Sequence, residues 1–131
     1  MAGIWGNRKK QRAAQAAEDA EITRRASSAL VAIDERIRTT SDELVYAEAE
    51  LGADATKPLR DALAAVRQHL AEAFHLHQLN HDDIPDTSQE IRTRSARITQ
   101  LCEWAEDLLD DRTEALKAPI ERARRAPEII T

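Results

Sequence analysis

The first half of this chain contains a long stretch without a helix-breaking residue. No glycine or proline occurs between Asn7 and Leu51, and alanine, glutamate and arginine dominate, so intrinsic propensity favours one helix over about 45 positions. Its inner positions recur in alternating steps of three and four, the pattern of a coiled-coil seam. This seam comprises Ala26, Leu30, Ile33, Ile37, Thr40, Leu44, Ala47 and Leu51. The stretch therefore predicts a long helix that packs against other helices along one side.

A second helix is predicted over about 56–79. Gly52 is well placed to end the first helix in a left-handed conformation. Asp54 or Thr56 can cap the second helix, whose first turn tolerates Pro58 because no amide donor is needed there. We expect this helix to fold back antiparallel to the first and to stop at Asn80. Its seam comprises Leu59, Leu63, Val66, Leu70, Ala73 and His77.

A third helix is predicted over about 88–118, after a loop at 81–86. Thr87 and Glu90 have the spacing of a capping box at its start. Pro119 is expected to kink or restart it, with a short continuation to residue 125, because an interior proline costs about 3 kcal/mol. Its seam comprises Ile91, Arg94, Ile98, Leu101, Ala105, Leu108, Arg112 and Ala115. The sequence thus predicts an all-α, elongated up-down-up three-helix coiled-coil bundle.

Charge is distributed unevenly behind the net value of −5. Residues 1–25 carry six Lys or Arg against three acids, whereas residues 26–120 carry ten against nineteen. We therefore divide the chain into a basic amino-terminal arm (1–25) that projects beyond the shorter second helix, the bundle (26–126) and a tail (127–131). The acidic bundle argues against a protein built throughout to bind nucleic acid.

Neither a membrane span nor a secretion signal is expected. No apolar run exceeds five residues, whereas a span needs about 20 and a signal peptide about 7 to 15. Cys102 is the single cysteine, so an internal disulfide is excluded and a reducing, cytoplasmic setting fits best.

The sharpest local signal is a tryptophan followed by a basic cluster. An aromatic residue next to positive charges is typical of the cytoplasmic edge of a membrane helix, and anionic lipid attracts each nearby basic residue by about 1 kcal/mol. The alternative is an unstructured, solvated tail. The candidate residues for contact with an anionic surface are Trp5, Arg8, Lys9, Lys10 and Arg12.

Two histidines form the weak candidate for a metal site. His77 and His81 lie four residues apart, with Asp82 or Asp83 adjacent, and such a pair could hold a divalent ion. The alternative is that histidines near a helix carboxyl end are favoured by the helix dipole and stay solvated. We predict no bound metal and no cofactor.

Catalytic motifs are not recognisable in the chain. It has no strained strand-to-helix turn, no phosphate-binding glycine loop and no metalloprotease motif, and a thin bundle leaves little room for a pocket. Cys102 is expected to be a small core residue. We therefore expect a protein that is not an enzyme.

Four polar residues fall at seam positions. One buried polar group can fix the register of a coiled coil or its number of partners at some cost in stability. The other interpretation is that these positions lie at open edges of the bundle. The residues are Thr40, His77, Arg94 and Arg112.

Several segments carry a family resemblance. They are Leu30–Arg38, Asp42–Leu44, Ala47–Gly52, Leu70–Leu79, Ala105–Asp110 and Arg125–Ile130. Residues from about 29 to 130 resemble, through them, the carboxyl-terminal helical region of actinobacterial TPM-domain membrane proteins. The resemblance implies a cytoplasmic coiled coil that follows a membrane helix and a basic stretch, with Trp5 and residues 8–12 matching the inner flank. The TPM domain is absent, so the resemblance transfers no phosphatase-like activity and no metal site.

Our leading hypothesis is a scaffold or spacer module at the cytoplasmic membrane face that presents its helix faces to a protein partner. Self-association is expected as well, because the long first helix leaves Ile22 without an internal neighbour. One alternative is a soluble homo-oligomeric coiled coil without a membrane role. Another is a nucleic-acid binder that uses residues 8–12 with Arg24 and Arg25.

Overall fold

Three helices make up nearly all of this computed structural model, which describes residues 2–84 and 86–126. Helix α1 spans Ala2–Leu51, α2 spans Ala53–Asn80 and α3 spans Ser88–Arg125. Each helix packs against the other two, and the described residues contain no strand. The predicted all-α three-helix architecture is confirmed.

Contacts between helices establish their directions. As the residue number rises along α1, the number of its partner in α2 falls: Ser41 contacts Arg67, and Glu48 contacts Arg60. Partners in α3 instead keep a nearly constant separation of 69 to 77 residues from those in α1, as in the pairs Asp19–Arg92 and Glu50–Arg124. Helices α1 and α3 are therefore parallel and α2 runs against both, as the up-down-up prediction requires.

Two helix ends lie beyond their predicted positions. Helix α1 begins at Ala2 rather than at residue 7 and includes Gly3 and Gly6, because an interior glycine costs only about 1 kcal/mol and weakens a helix without ending it. Helix α3 continues through Pro119 to Arg125. The carbonyl that Pro119 leaves without a donor belongs to Ala115, which is exposed, so water can satisfy it.

The turn between α1 and α2 consists of Gly52 alone. Its φ of 87° is positive as predicted, but its ψ of 170° makes it extended rather than left-handed helical, a region open essentially to glycine only. Neither Asp54 nor Thr56 caps α2, because the helix starts at Ala53. The buried Thr56 instead donates its hydroxyl to the Gly52 carbonyl at 3.0 Å, and Pro58 lies in the second turn rather than the first.

The other predicted turn ends at a side-chain cap. Asn80 ends α2, and Thr87 caps α3 by accepting a hydrogen bond at Oγ1 from the Glu90 amide at 3.1 Å. Both predictions are confirmed. Pro85 within the loop, and the predicted tail at 127–131, lie outside the described residues.

The core follows the predicted seam in α2 but not throughout α3. All predicted α2 positions from Leu59 to Ala73 are buried. In the carboxyl-terminal half of α3, Leu109 is buried in place of the predicted Leu108, which is partly buried, and the predicted Arg112 and Ala115 are partly buried and exposed. A strict seven-residue repeat drifts by about 20° per heptad relative to a straight helix. In the carboxyl-terminal half of α3, the seam therefore lies one residue later than predicted.

Candidate functional site

The amino-terminal segment of α1 extends beyond the other two helices. Residues 3–14 are all exposed, and we call residues 2–14 the overhang. Trp5 is 69% exposed, and the Arg8 guanidinium carbon lies 6.0 Å from the centre of its ring. Because helical neighbours recur at steps of three and four, the structure brings Trp5, Arg8, Lys9 and Arg12 onto one side of α1. Lys10 falls on another side.

The overhang leaves the bundle at a polar junction. Ser88 donates to Asp19 at 2.5 Å, and Arg92 contacts both Asp19 at 2.5 Å and Glu18 at 3.0 Å. The hydrogen bond from Ser88 is the main cause of a lowered pKa of Asp19, with Arg92 adding to it against partial desolvation. Helix contacts begin at Gln15, which donates to Ser88 at 3.1 Å. The projecting part is thus shorter than the predicted 1–25. The start of α3 packs along α1 as far as Gln15, closer to the amino terminus of α1 than α2 reaches.

A groove of about 1060 Å³ lies between α1 and α3 near their carboxyl ends. The predicted lack of room for a pocket is wrong, because the alanines Ala47 and Ala115 leave space there unfilled. Tyr46, at 71% exposure, and the partly buried Leu116 and Ile120 give the groove an apolar surface. Five acidic and three basic residues surround it: Glu43, Glu50, Asp110, Asp111, Glu114, Arg36, Lys117 and Arg124.

Arg36 links α1 to α3 beside this groove, and the sequence analysis did not identify it. Its guanidinium lies 2.6 Å from Asp110 and 3.2 Å from Glu106, and it donates to Thr40 at 3.0 Å. The only signal in the sequence is its place beside the seam, three residues after Ile33. Its partners depend on the offset between α1 and α3, which the seam pattern does not specify.

The polar seam residues divide between the interior and the edge. Thr40 is fully buried and satisfied by Arg36, as expected of a residue that fixes register. Arg94 is partly buried in α3 near the preceding loop, 2.9 Å from Asp86 in the loop and 3.4 Å from Glu90 in the first turn of α3. Arg112 pairs with its exposed neighbour Asp111, and His77 is only partly buried.

The two candidate histidines lie together at the end of α2 but are not joined by further ligands. The ring centres of His77 and His81 are 4.3 Å apart, and Nδ1 of His81 lies 2.9 Å from the carbonyl oxygen of His77. Desolvation, followed by the charge of His81, lowers the pKa of His77. Within 2–84 and 86–126, no group of three or more His, Cys, Asp or Glu could hold a metal ion.

The single thiol has the environment of a core residue. Cys102 is buried among the apolar residues of the bundle. Burial, with a smaller contribution from the charges of Glu106 and Glu103, raises its pKa to about 11. Since the thiolate is the nucleophile, this side chain is unreactive in the folded chain near neutral pH.

The comparisons with known proteins give one weak similarity. The chain is 30% identical over 90 residues to UPF0603 proteins from two strains of Mycobacterium tuberculosis, an alignment that covers 69% of this chain and 14% of each relative. The chain thus spans about a seventh of the length of these curated relatives. No family model matches, and no solved structure matches. Among the described residues, no helix combines the length and the apolar character needed to cross a membrane.

Proposed function

We propose that this chain is a non-enzymatic coiled-coil spacer that binds the anionic cytoplasmic face of a membrane through its overhang. The bundle then holds its exposed helix faces at a distance from that surface, where a protein partner can bind. The observation that carries the proposal is the overhang itself, an exposed helix with four basic residues, a tryptophan and no acid.

The chemistry of the overhang fits a lipid surface. The indole of Trp5 is amphipathic and suits the headgroup region, and Arg8, Lys9 and Arg12 lie on the same side of the helix. The helix amino terminus adds a partial positive charge. Four basic residues contribute about 4 kcal/mol in total, which alone corresponds to a dissociation constant of roughly 1 mM. We therefore expect reversible, salt-sensitive binding.

Two similarities support this placement. The resemblance to the region that follows the membrane helix in actinobacterial TPM-domain proteins supports the proposal that the basic segment lies next to lipid. The 90-residue similarity to segments of much longer UPF0603 proteins is consistent with a helical module that also occurs within longer chains.

The nucleic-acid alternative is less well supported by the geometry. Arg24 and Arg25 both bind Glu21, at 2.6 and 3.0 Å, so this one carboxylate offsets part of their charge. Hydrogen bonds from Arg24 and then Arg25 lower the pKa of Glu21 to about 2. The acidic bundle would repel a nucleic acid that runs along the length of the protein, whereas a membrane that binds the projecting overhang need not approach the bundle.

Co-sedimentation with vesicles tests the proposal. We expect the full chain to bind phosphatidylserine-containing vesicles at low salt, to bind neutral vesicles weakly and to be released as salt is raised. Substituting Arg8, Lys9, Lys10 and Arg12 with glutamine should abolish this binding.

The matched control removes the same charge from the bundle by substituting Arg38, Lys57, Arg122 and Arg125 with glutamine, all of them exposed. Its binding should stay close to that of the natural chain. Equal loss in both variants would mean that net charge alone, not the overhang, drives binding. Preference for duplex DNA over anionic vesicles at the same salt would favour the nucleic-acid alternative.

A further inference from the structure

The overhang and the groove have the same length. The groove runs beside α1 from Arg36 to Glu50, about 21 Å at 1.5 Å per residue, and the overhang of 13 residues is about 20 Å long. Both belong to α1, but they lie at opposite ends of one continuous helix. A helix cannot bend its own overhang into its own groove, so any match between them joins two molecules.

Their charges are complementary. The overhang carries four basic residues and no acid, whereas five of the eight charged residues around the groove are acidic. Each surface also has exposed side chains with apolar surface. In the overhang these are Ile4 and Trp5, 59% and 69% exposed, and in the groove the corresponding residue is Tyr46.

One antiparallel register places two of the four basic residues of the overhang opposite acids and its tryptophan opposite the tyrosine of the groove. Residues that face each other in it have numbers that add to 51, and it places Arg8 opposite Glu43 and Trp5 opposite Tyr46. It also pairs Lys9 with Asp42, Ile4 with Ala47 and, near the centre, the partly exposed Ile22 with Ala29. Arg8, Ile22, Ala29 and Glu43 are separated by multiples of seven, so the coiled-coil repeat keeps them on one side of α1.

We infer that two copies of this chain pair antiparallel along α1, with the overhang of each lying in the groove of the other. A register with a constant sum is symmetric, so both overhangs are used and the contact closes as a two-fold dimer rather than a fibre. This pairing does not depend on the proposed membrane role. It uses the same basic residues, so a second copy and a lipid surface compete for the overhang.

Sedimentation equilibrium without lipid tests the pairing. The 14.7 kDa chain should approach twice this mass as concentration rises at low salt. Arg8→Glu and Glu43→Arg should each weaken the dimer at least about tenfold, because each places like charges opposite one another. The double variant, which reverses both charges, should recover the natural dissociation constant to within about threefold. Both substitutions lie at exposed helix positions, and circular dichroism checks that the helices persist in all three variants.

A disulfide experiment fixes the register. The variant with Trp5→Cys and Tyr46→Cys should oxidise to a covalent dimer, whereas Trp5→Cys with Val31→Cys should not, although Val31 is 73% exposed. Monomer mass at every concentration, or no recovery in the double charge variant, overturns the inference, as does equal crosslinking in both cysteine variants. Vesicle binding by the overhang is measured separately, so its failure leaves this result unaffected.

Discussion

Arg36 shows how one side chain can secure the offset between two long helices. It donates to Thr40 within α1 and reaches Glu106 and Asp110 in α3. Its side chain is 24% exposed, so these charge-assisted bonds are only partly screened by water. We predict that Arg36→Ala lowers the free energy of unfolding by about 1–3 kcal/mol, because it also leaves the buried Thr40 hydroxyl without this donor. Urea denaturation measures the change.

The matched control is Arg38→Ala. Arg38 is also an α1 arginine, but it is 72% exposed and pairs with Asp34, one turn away on the same helix. Its loss should cost less than about 0.5 kcal/mol. Equal costs for the two variants would mean that Arg36 does not link the helices.

Cys102 gives a residue-level prediction for pH dependence. Its folded-state pKa of about 11 lies above the usual 9.0, so the unfolded chain loses the thiol proton first. The free energy of unfolding should therefore fall as pH rises from about 9 toward 11. Cys102→Ala should flatten this decline, and denaturant titrations at several pH values measure it. An unchanged decline in the variant would assign the effect to other groups.

The seam of α3 is the clearest prediction at the scale of an element. Leu109 is fully buried, whereas Leu108 only flanks the core. We predict that Leu109→Ala lowers the free energy of unfolding by about 2–5 kcal/mol, as expected for a cavity in a packed core. Leu108→Ala should cost clearly less. A larger loss at Leu108, measured by the same denaturation, would restore the seven-residue register predicted from the sequence.

The helices also show which features of the fold could be predicted from the sequence. The seams of α1 and α2 were predictable because apolar residues kept a strict heptad, and the capping residue Thr87 because its chemistry is local. The register of α3 was not predictable, because a one-residue shift depends on the accumulated twist of the neighbouring helices. The site divides in the same way: the basic residues of the overhang are visible in the sequence, whereas the groove and the contacts of Arg36 require the α1–α3 offset.

In the whole molecule, the basic overhang and the acidic groove lie far apart. The middle of the overhang, near Arg8, and the middle of the groove, near Glu43, are 35 residues apart on one helix, or about 52 Å. A basic end and an acidic groove at this distance cannot neutralise each other within one chain. Both therefore remain available to other molecules, which is the arrangement that a spacer requires.

The fluorescence of Trp5 alone tests most directly whether the overhang binds an anionic membrane. The chain has two tryptophans, and Trp104→Phe leaves Trp5 as the sole tryptophan. We expect its emission to shift to shorter wavelength with anionic vesicles, to stay unchanged with neutral ones and to return to its original wavelength as salt is added. Trp5→Phe, which keeps Trp104, should show no shift. Unchanged Trp5 emission in the presence of anionic vesicles, under conditions where the protein co-sediments with them, would contradict the claim that the overhang binds the membrane.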